Sequence, residues 1–234
     1  MSRAKKTPRP APVTADDVWT RWRDDIERIY KENVAAFRNR MVFREFRDII
    51  KRNDRLMNEG GYFIKWVFSC YARDQALAVR REVDESSDVV NLVQLMNQMI
   101  RRPEVMSRAR YKAHFPPDSV FTDEMRDEMF AKAAGPADHI SQAVISEDRK
   151  TLLNACEPVA TYVSRLIAHR TPIEELPPNI GQIDAALDAI EAVFQKYMTL
   201  LTGRGVMGLE PEVHFDWQDI FTYAWAPPSP PEDE

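Results

Sequence analysis

Tyr162, Ser164, Arg165 and His169 fall within one short stretch, and on a helix Arg165 and His169 stand one turn apart at i and i+4, with Tyr162 on the turn before. A guanidinium holds phosphate oxygens, and an imidazole exchanges a proton near neutral pH. A metal-independent ribonuclease uses those groups: the imidazole serves the attacking 2′-hydroxyl or the leaving group, while the cation steadies charge on phosphorus. His169, Arg165 and Tyr162 are therefore candidate catalytic residues. The same spacing also describes a helix that simply ends in cations favoured by its own dipole, before the break at Thr171-Pro172.

A second group lies upstream. Phe63, Val67, Cys70 and Leu77 form a line at helical spacing that also contains Asp74 and Arg81. That line is expected to face the core, so both charges are expected to be largely buried, about 10 Å apart along the axis, and each needs a partner from another element because an unpaired buried charge costs several kcal/mol. Arg80 and Asp84, at i and i+4, pair on the neighbouring face. Asp74, Arg80, Arg81 and Asp84 are candidate binding residues of a polar site between helices, or else structural salt bridges of a bundle.

Other chemistries find less in the chain. His214 and Asp216 offer two metal ligands, but His114 and His139 sit in unrelated loops, so neither a metal nor another cofactor is expected. No glycine-rich phosphate loop, Gly-x-Ser-x-Gly elbow or Cys/His nucleophile pair occurs. Between Arg38 and Arg55 seven basic residues stand against three acids, interleaved with Phe43 and Phe46, and a second basic group follows at Arg101, Arg102, Arg108, Arg110 and Lys112. These are either solvated helix faces or contacts for RNA. The net charge of −5 removes a strong global positive field while leaving local patches possible. Two cysteines, Cys70 and Cys156, and no N-terminal apolar segment predict a reducing cytoplasm. The most apolar stretch, 62–72, is too short to cross a bilayer and carries Lys65, so no membrane span is expected.

The elements that must position these groups read as helices. The chain has 234 residues, 44% hydrophobic and 29% charged, which suits one soluble domain, and its seven glycines against sixteen prolines count against an all-β fold. Thr14, followed by Asp16 and Asp17, caps a first helix to about Arg38. Further helices are expected at 42–50, at 62–84 after Gly60-Gly61, after a cap at Ser86 or Ser87, over 122–133 as a polar surface excursion, at 149–169 with Pro158 as a kink or start, and at 181–202 with Gly203 as its stop. The aromatic run from Phe215 to Trp225 reads as an extended strap laid over the bundle. Residues 1–13 read as a disordered basic arm, 14–225 as a single helical domain, and 226–234 as a disordered, proline-rich acidic tail.

Arg80-Arg81-x-x-Asp84, the segment 92–99, Tyr162-Val-Ser164-Arg165-Leu-Ile-Ala-His169, and Phe215-Asp216-Trp217 with Trp225 together resemble the HEPN-like proteins of the abortive-infection U class, over most of residues 18–225. The resemblance implies an all-α HEPN-like bundle, a homodimer, and a place in a prokaryotic defence or toxin–antitoxin system, with RNA, a protein partner or an antitoxin bound. Active members of that group carry Arg, four to six residues, then His. Here three residues separate Arg165 from His169, and Ser164 stands where an arginine would complete a shorter spacing. Two expectations follow: a metal-independent endoribonuclease, or a non-catalytic helical interaction protein.

Overall fold

A computed structural model describes residues 13–168, 178–211 and 216–222. Among them the fold is all-α, with no strand and one isolated β-bridge between Ser107 and His139. The helices are α1 (Ala15–Lys51), α2 (Asp54–Glu59), α3 (Gly61–Glu82), α4 (Leu92–Arg101), α5 (Arg108–Lys112), α6 (Asp123–Ala134), α7 (Gln142–Tyr162) and α8 (Ile180–Thr202). Short 3-10 turns lie at Pro103–Val105 and Trp217–Thr222, and α7 runs on into a π-helical segment, Val163–Ala168.

Thr14 opens α1 as expected, through a capping box in which its hydroxyl accepts from the Asp17 N–H at 3.1 Å and its own N–H donates to the Asp17 carboxylate at 2.9 Å. The Asp17 carboxyl is held below its ordinary range chiefly by the Thr14 hydroxyl, which donates to it at 2.7 Å, and then by the Thr14 N–H. The helix does not stop near Arg38; it continues for 37 residues to Lys51. Arg40 interrupts the apolar pattern, yet it lies on the buried stripe between Phe37 and Phe43. Its guanidinium, 4.5 Å from the Phe37 ring centroid, donates to Asp188 at 2.7 Å, Glu191 at 3.3 Å and Glu210 at 3.1 Å. A charge on the core side is thus compensated from α8 and from the chain beyond it.

α1, α3, α7 and α8 enclose one core with α4 packed on α7; Trp22, Phe37, Met96, Phe194 and Tyr197 are among its fully buried side chains. Asn179 caps α8 through a second capping box, with Gln182, and Gly203 ends it at φ 69°. A Cβ at Gly203 would lie 2.8 Å from the His114 Cβ, so backbone conformation and space both require glycine there.

Three further expectations need correction. Asn91, not Ser86 or Ser87, caps α4: the helix begins only at Leu92, and the Asn91 Oδ1 accepts from the Gln94 N–H at 2.8 Å. α6 is not merely a surface excursion: Phe130 is fully buried against Tyr111, and the Arg108 guanidinium stacks on its ring. The aromatic run near the C-terminus is not extended over Trp217–Thr222 but forms a 3-10 turn on α1, where Trp217 Nε1 and Gln218 Nε2 both donate to Glu45. The rest of the strap, the N-terminal arm and the tail lie outside the described residues.

Candidate functional site: a polar cleft between the third and seventh helices

The first basic residue of the upstream motif reaches the downstream one. Arg80, on the last turn of α3, donates through Nε to the Ser164 hydroxyl at 3.1 Å, across 84 residues of sequence, and its Nη1 lies 3.2 Å from the Asp84 carboxylate. Asp84 is held below the ordinary carboxylate range chiefly by the Ser86 backbone N–H, then by the Ser86 hydroxyl, and by Arg80. Arg80, Ser164 and Arg165 line one cleft of about 440 Å³, together with Glu85, Asn154 and Glu157. Glu85 is also paired with Arg149, and Glu157 accepts from the Thr161 hydroxyl at 2.9 Å.

Helix irregularity shapes the α7 wall. Pro158 sits inside α7 and has no N–H to give to the carbonyl of Asn154, a residue of the cleft. One turn later the backbone becomes π-helical over Val163–Ala168, a form in which bonds run from i to i+5 and each residue turns by less than the roughly 100° of an α-helix. Residues at i and i+3 therefore diverge. Tyr162 and Arg165, expected on one face, line different clefts: Tyr162 opens onto a separate space of about 510 Å³ with Phe68, Arg73 and Asn179. His169 lies outside the described residues.

Asp74 and Arg81 do not face the core. Both are exposed, and Asp74 accepts from Asn39 of α1 at 2.9 Å at the surface. α3 buries Tyr71, Gln75, Ala76, Val79 and Glu82 instead, so the helix is rotated from the face marked by Phe63 and Leu77, which are exposed. The apolar side chains of the two faces compete, and the face that wins carries small Ala76 and branched Val79, which allow close helix packing.

The rotated face contains the buried carboxyl that sequence reading missed. Glu82 is 2% exposed; its Oε1 accepts from Asn33 of α1 at 3.0 Å and its Oε2 from the Leu92 N–H at 3.1 Å, at the first turn of α4. Burial pushes its pKa up to about 7. The spacing Gln75, Val79, Glu82 was the available signal. Burial, and secondarily the nearby Glu82, raises the Cys156 thiol to about 12, leaving that cysteine an inert member of the core.

The two basic clusters are largely consumed by acids of the same chain. Arg40 and Arg44 pair with Asp184, Asp188, Glu191 and Glu210. Arg102 meets Glu104, Arg108 meets Asp127, Arg110 meets Asp16, and Lys112 meets Asp123 and Asp127. Among the described residues no group of three or more His, Cys, Asp or Glu could hold a metal ion, and no helix is long and apolar enough to cross a membrane.

Comparison with family models finds no match, and neither curated proteins nor solved structures give one.

Proposed function

We propose that the α3–α7 cleft binds the phosphodiester backbone of RNA, and that the chain acts as a HEPN-like helical protein of a cytoplasmic prokaryotic defence or toxin–antitoxin system. The observation that carries this reading is that Arg80 and Arg165, from distant segments, line one cleft beside a π-helical turn. Helix irregularities of this kind recur at functional sites, because they redirect side chains that a regular helix would keep on its face. Two guanidiniums fit phosphate oxygens, and Ser164, which holds Arg80, supplies a further polar contact. Cleavage, in this reading, needs no metal: His169 moves the proton and Arg165 steadies the phosphate. The homodimer implied by the resemblance belongs to the same proposal.

A non-catalytic interaction protein, binding RNA or a protein such as an antitoxin, is the second reading. It is favoured by the acids of the cleft, Glu85 and Glu157, and by Asp84 paired with Arg80, which offset the field of the two arginines.

Incubating the full chain with single-stranded RNA, with and without EDTA, tests both. Binding at low salt should weaken for Arg80→Ala and for Arg165→Ala, each reducing the salt slope by about one. Cleavage should persist in EDTA and fall by about 10²- to 10⁴-fold for His169→Ala. Salt-dependent binding without cleavage would select the second reading; absence of RNA binding at low salt would overturn the RNA-binding proposal. Light scattering at micromolar concentration checks the dimer.

A further inference from the structure

The most apolar stretch of the chain, 62–72, is left largely outside the core. α3 buries no residue before Tyr71, and α2, which precedes it, buries none. At about 100° per residue, Tyr62, Phe63, Ile64, Trp66, Val67 and Phe68 spread over roughly two-thirds of the helix circumference, and Lys65 and Ser69 occupy the remaining third. One flank is covered, where Phe68 meets Phe43 of α1 at 4.8 Å between ring centroids. The tip stays open: Tyr62 is 89% exposed, Trp66 one turn on is 57% exposed, and Met57 of α2 is 58% exposed. Gly60 joins the two helices so closely that a Cβ there would lie 2.7 Å from the Ile64 side chain, which keeps α2 and the open part of α3 at the same end of the bundle. A globular surface rarely leaves such side chains open at one end without a use.

Charge at this end is opposite in sign to that of the whole chain. From Lys51 to Trp66 four cations, Lys51, Arg52, Arg55 and Lys65, stand against Asp54 and Glu59, whereas the net charge of the protein is −5. All four cations are exposed, and Lys51 and Arg55 pair with the exposed acids Asp48 and Glu59 of their own turns, contacts weak enough to be exchanged for another anion. Tryptophan and tyrosine carry an apolar body and a polar tip, and together with flanking lysine and arginine they suit the boundary between lipid headgroups and acyl chains. We propose that the α2–α3 end of the bundle docks on an anionic membrane surface, with Tyr62 and Trp66 entering the headgroup layer and Lys51, Arg52, Arg55 and Lys65 meeting lipid phosphates. The breadth of the apolar arc favours lipid, because a fluid interface surrounds a helix end from several sides, whereas a groove in a folded partner takes one stripe. Charge decides against a second copy, since a two-fold contact through this end would set the same cations against themselves. The contact is peripheral, as no helix among the described residues is long and apolar enough to cross a membrane. The inference is independent of the RNA reading.

Cosedimentation of the full chain with lipid vesicles tests this. Phosphatidylcholine vesicles containing about 30% phosphatidylglycerol should bind the protein at low salt, and vesicles of phosphatidylcholine alone should bind it far less. Lys65→Ala should weaken the binding about fivefold, and the double substitution Tyr62→Ser, Trp66→Ser about a hundredfold. All three side chains are exposed, so far-UV circular dichroism of these variants should match wild type, as should RNA binding. Failure to bind the anionic vesicles, or binding that the double variant retains in full, would overturn the proposal. So would loss, in the double variant, of RNA binding or of a dimer detected by light scattering, because the open aromatics would then serve RNA or a second copy.

Discussion

Glu82 holds α4 to α3 from inside the protein: one carboxyl oxygen meets Asn33 of α1 and the other the first N–H of α4. With two neutral donors and no cation bonded to it, burial dominates and its pKa rises to about 7, from the 4.5 of an ordinary glutamate. The native state therefore binds more protons than the unfolded chain between these values. The stabilisation linked to this site is complete below about pH 4.5 and is lost as pH rises through about 7, a change of roughly 3 kcal/mol. Glu82→Gln should flatten that part of the pH dependence, read as urea midpoints at pH 5 and pH 8; an unchanged slope would place the titration elsewhere. Asp74 makes the opposite case. Being exposed, with Asn39 as its cross-helix partner, it should tolerate Asp74→Ala within about 0.5 kcal/mol, whereas a core-facing aspartate would cost several. A thermal melt of that variant decides which face of α3 is inside.

At the scale of elements, Arg40 is the clearest example of a charge that organises packing. It is 3% exposed and joins α1 to α8 and to Glu210, while Glu191 also accepts from the Leu209 N–H at 2.7 Å. The stretch after Gly203 is thereby fixed back onto the bundle. Arg40→Ala should destabilise the protein by about 2 to 3 kcal/mol, less than a fully buried pair because Asp188 and Glu210 reach solvent. Because the guanidinium also stacks on Phe37, Arg40→Lys should recover only part of that loss in chemical denaturation. Full recovery would mean that charge alone, without planarity, suffices. α7 shows a different principle. Proline inside the helix and the π segment beyond it change what an i, i+3 spacing means, and so Tyr162 and Arg165 separate.

At the scale of the whole molecule, buried residues from α1 through Leu209 form one continuous core. Unfolding should be a single cooperative transition, with tryptophan fluorescence and far-UV circular dichroism changing together; a separate earlier loss of helix signal would show that part of the bundle folds independently. The sequence by itself determined helix class and most helix ends. Thr14 with Asp17, and Gly203, act through hydrogen bonds or backbone conformations within a few residues, and such local signals need no tertiary context. It also marked Arg80, Ser164 and Arg165, but as members of two unrelated segments. Only the tertiary structure decided that they share a cleft, that α3 buries Glu82 and not Asp74, and that the basic clusters meet acids up to 170 residues away. The physical reason is that an amphipathic helix with two competing apolar faces has no preferred rotation until neighbours pack against it, and a charge has no fixed partner until distant helices are brought together.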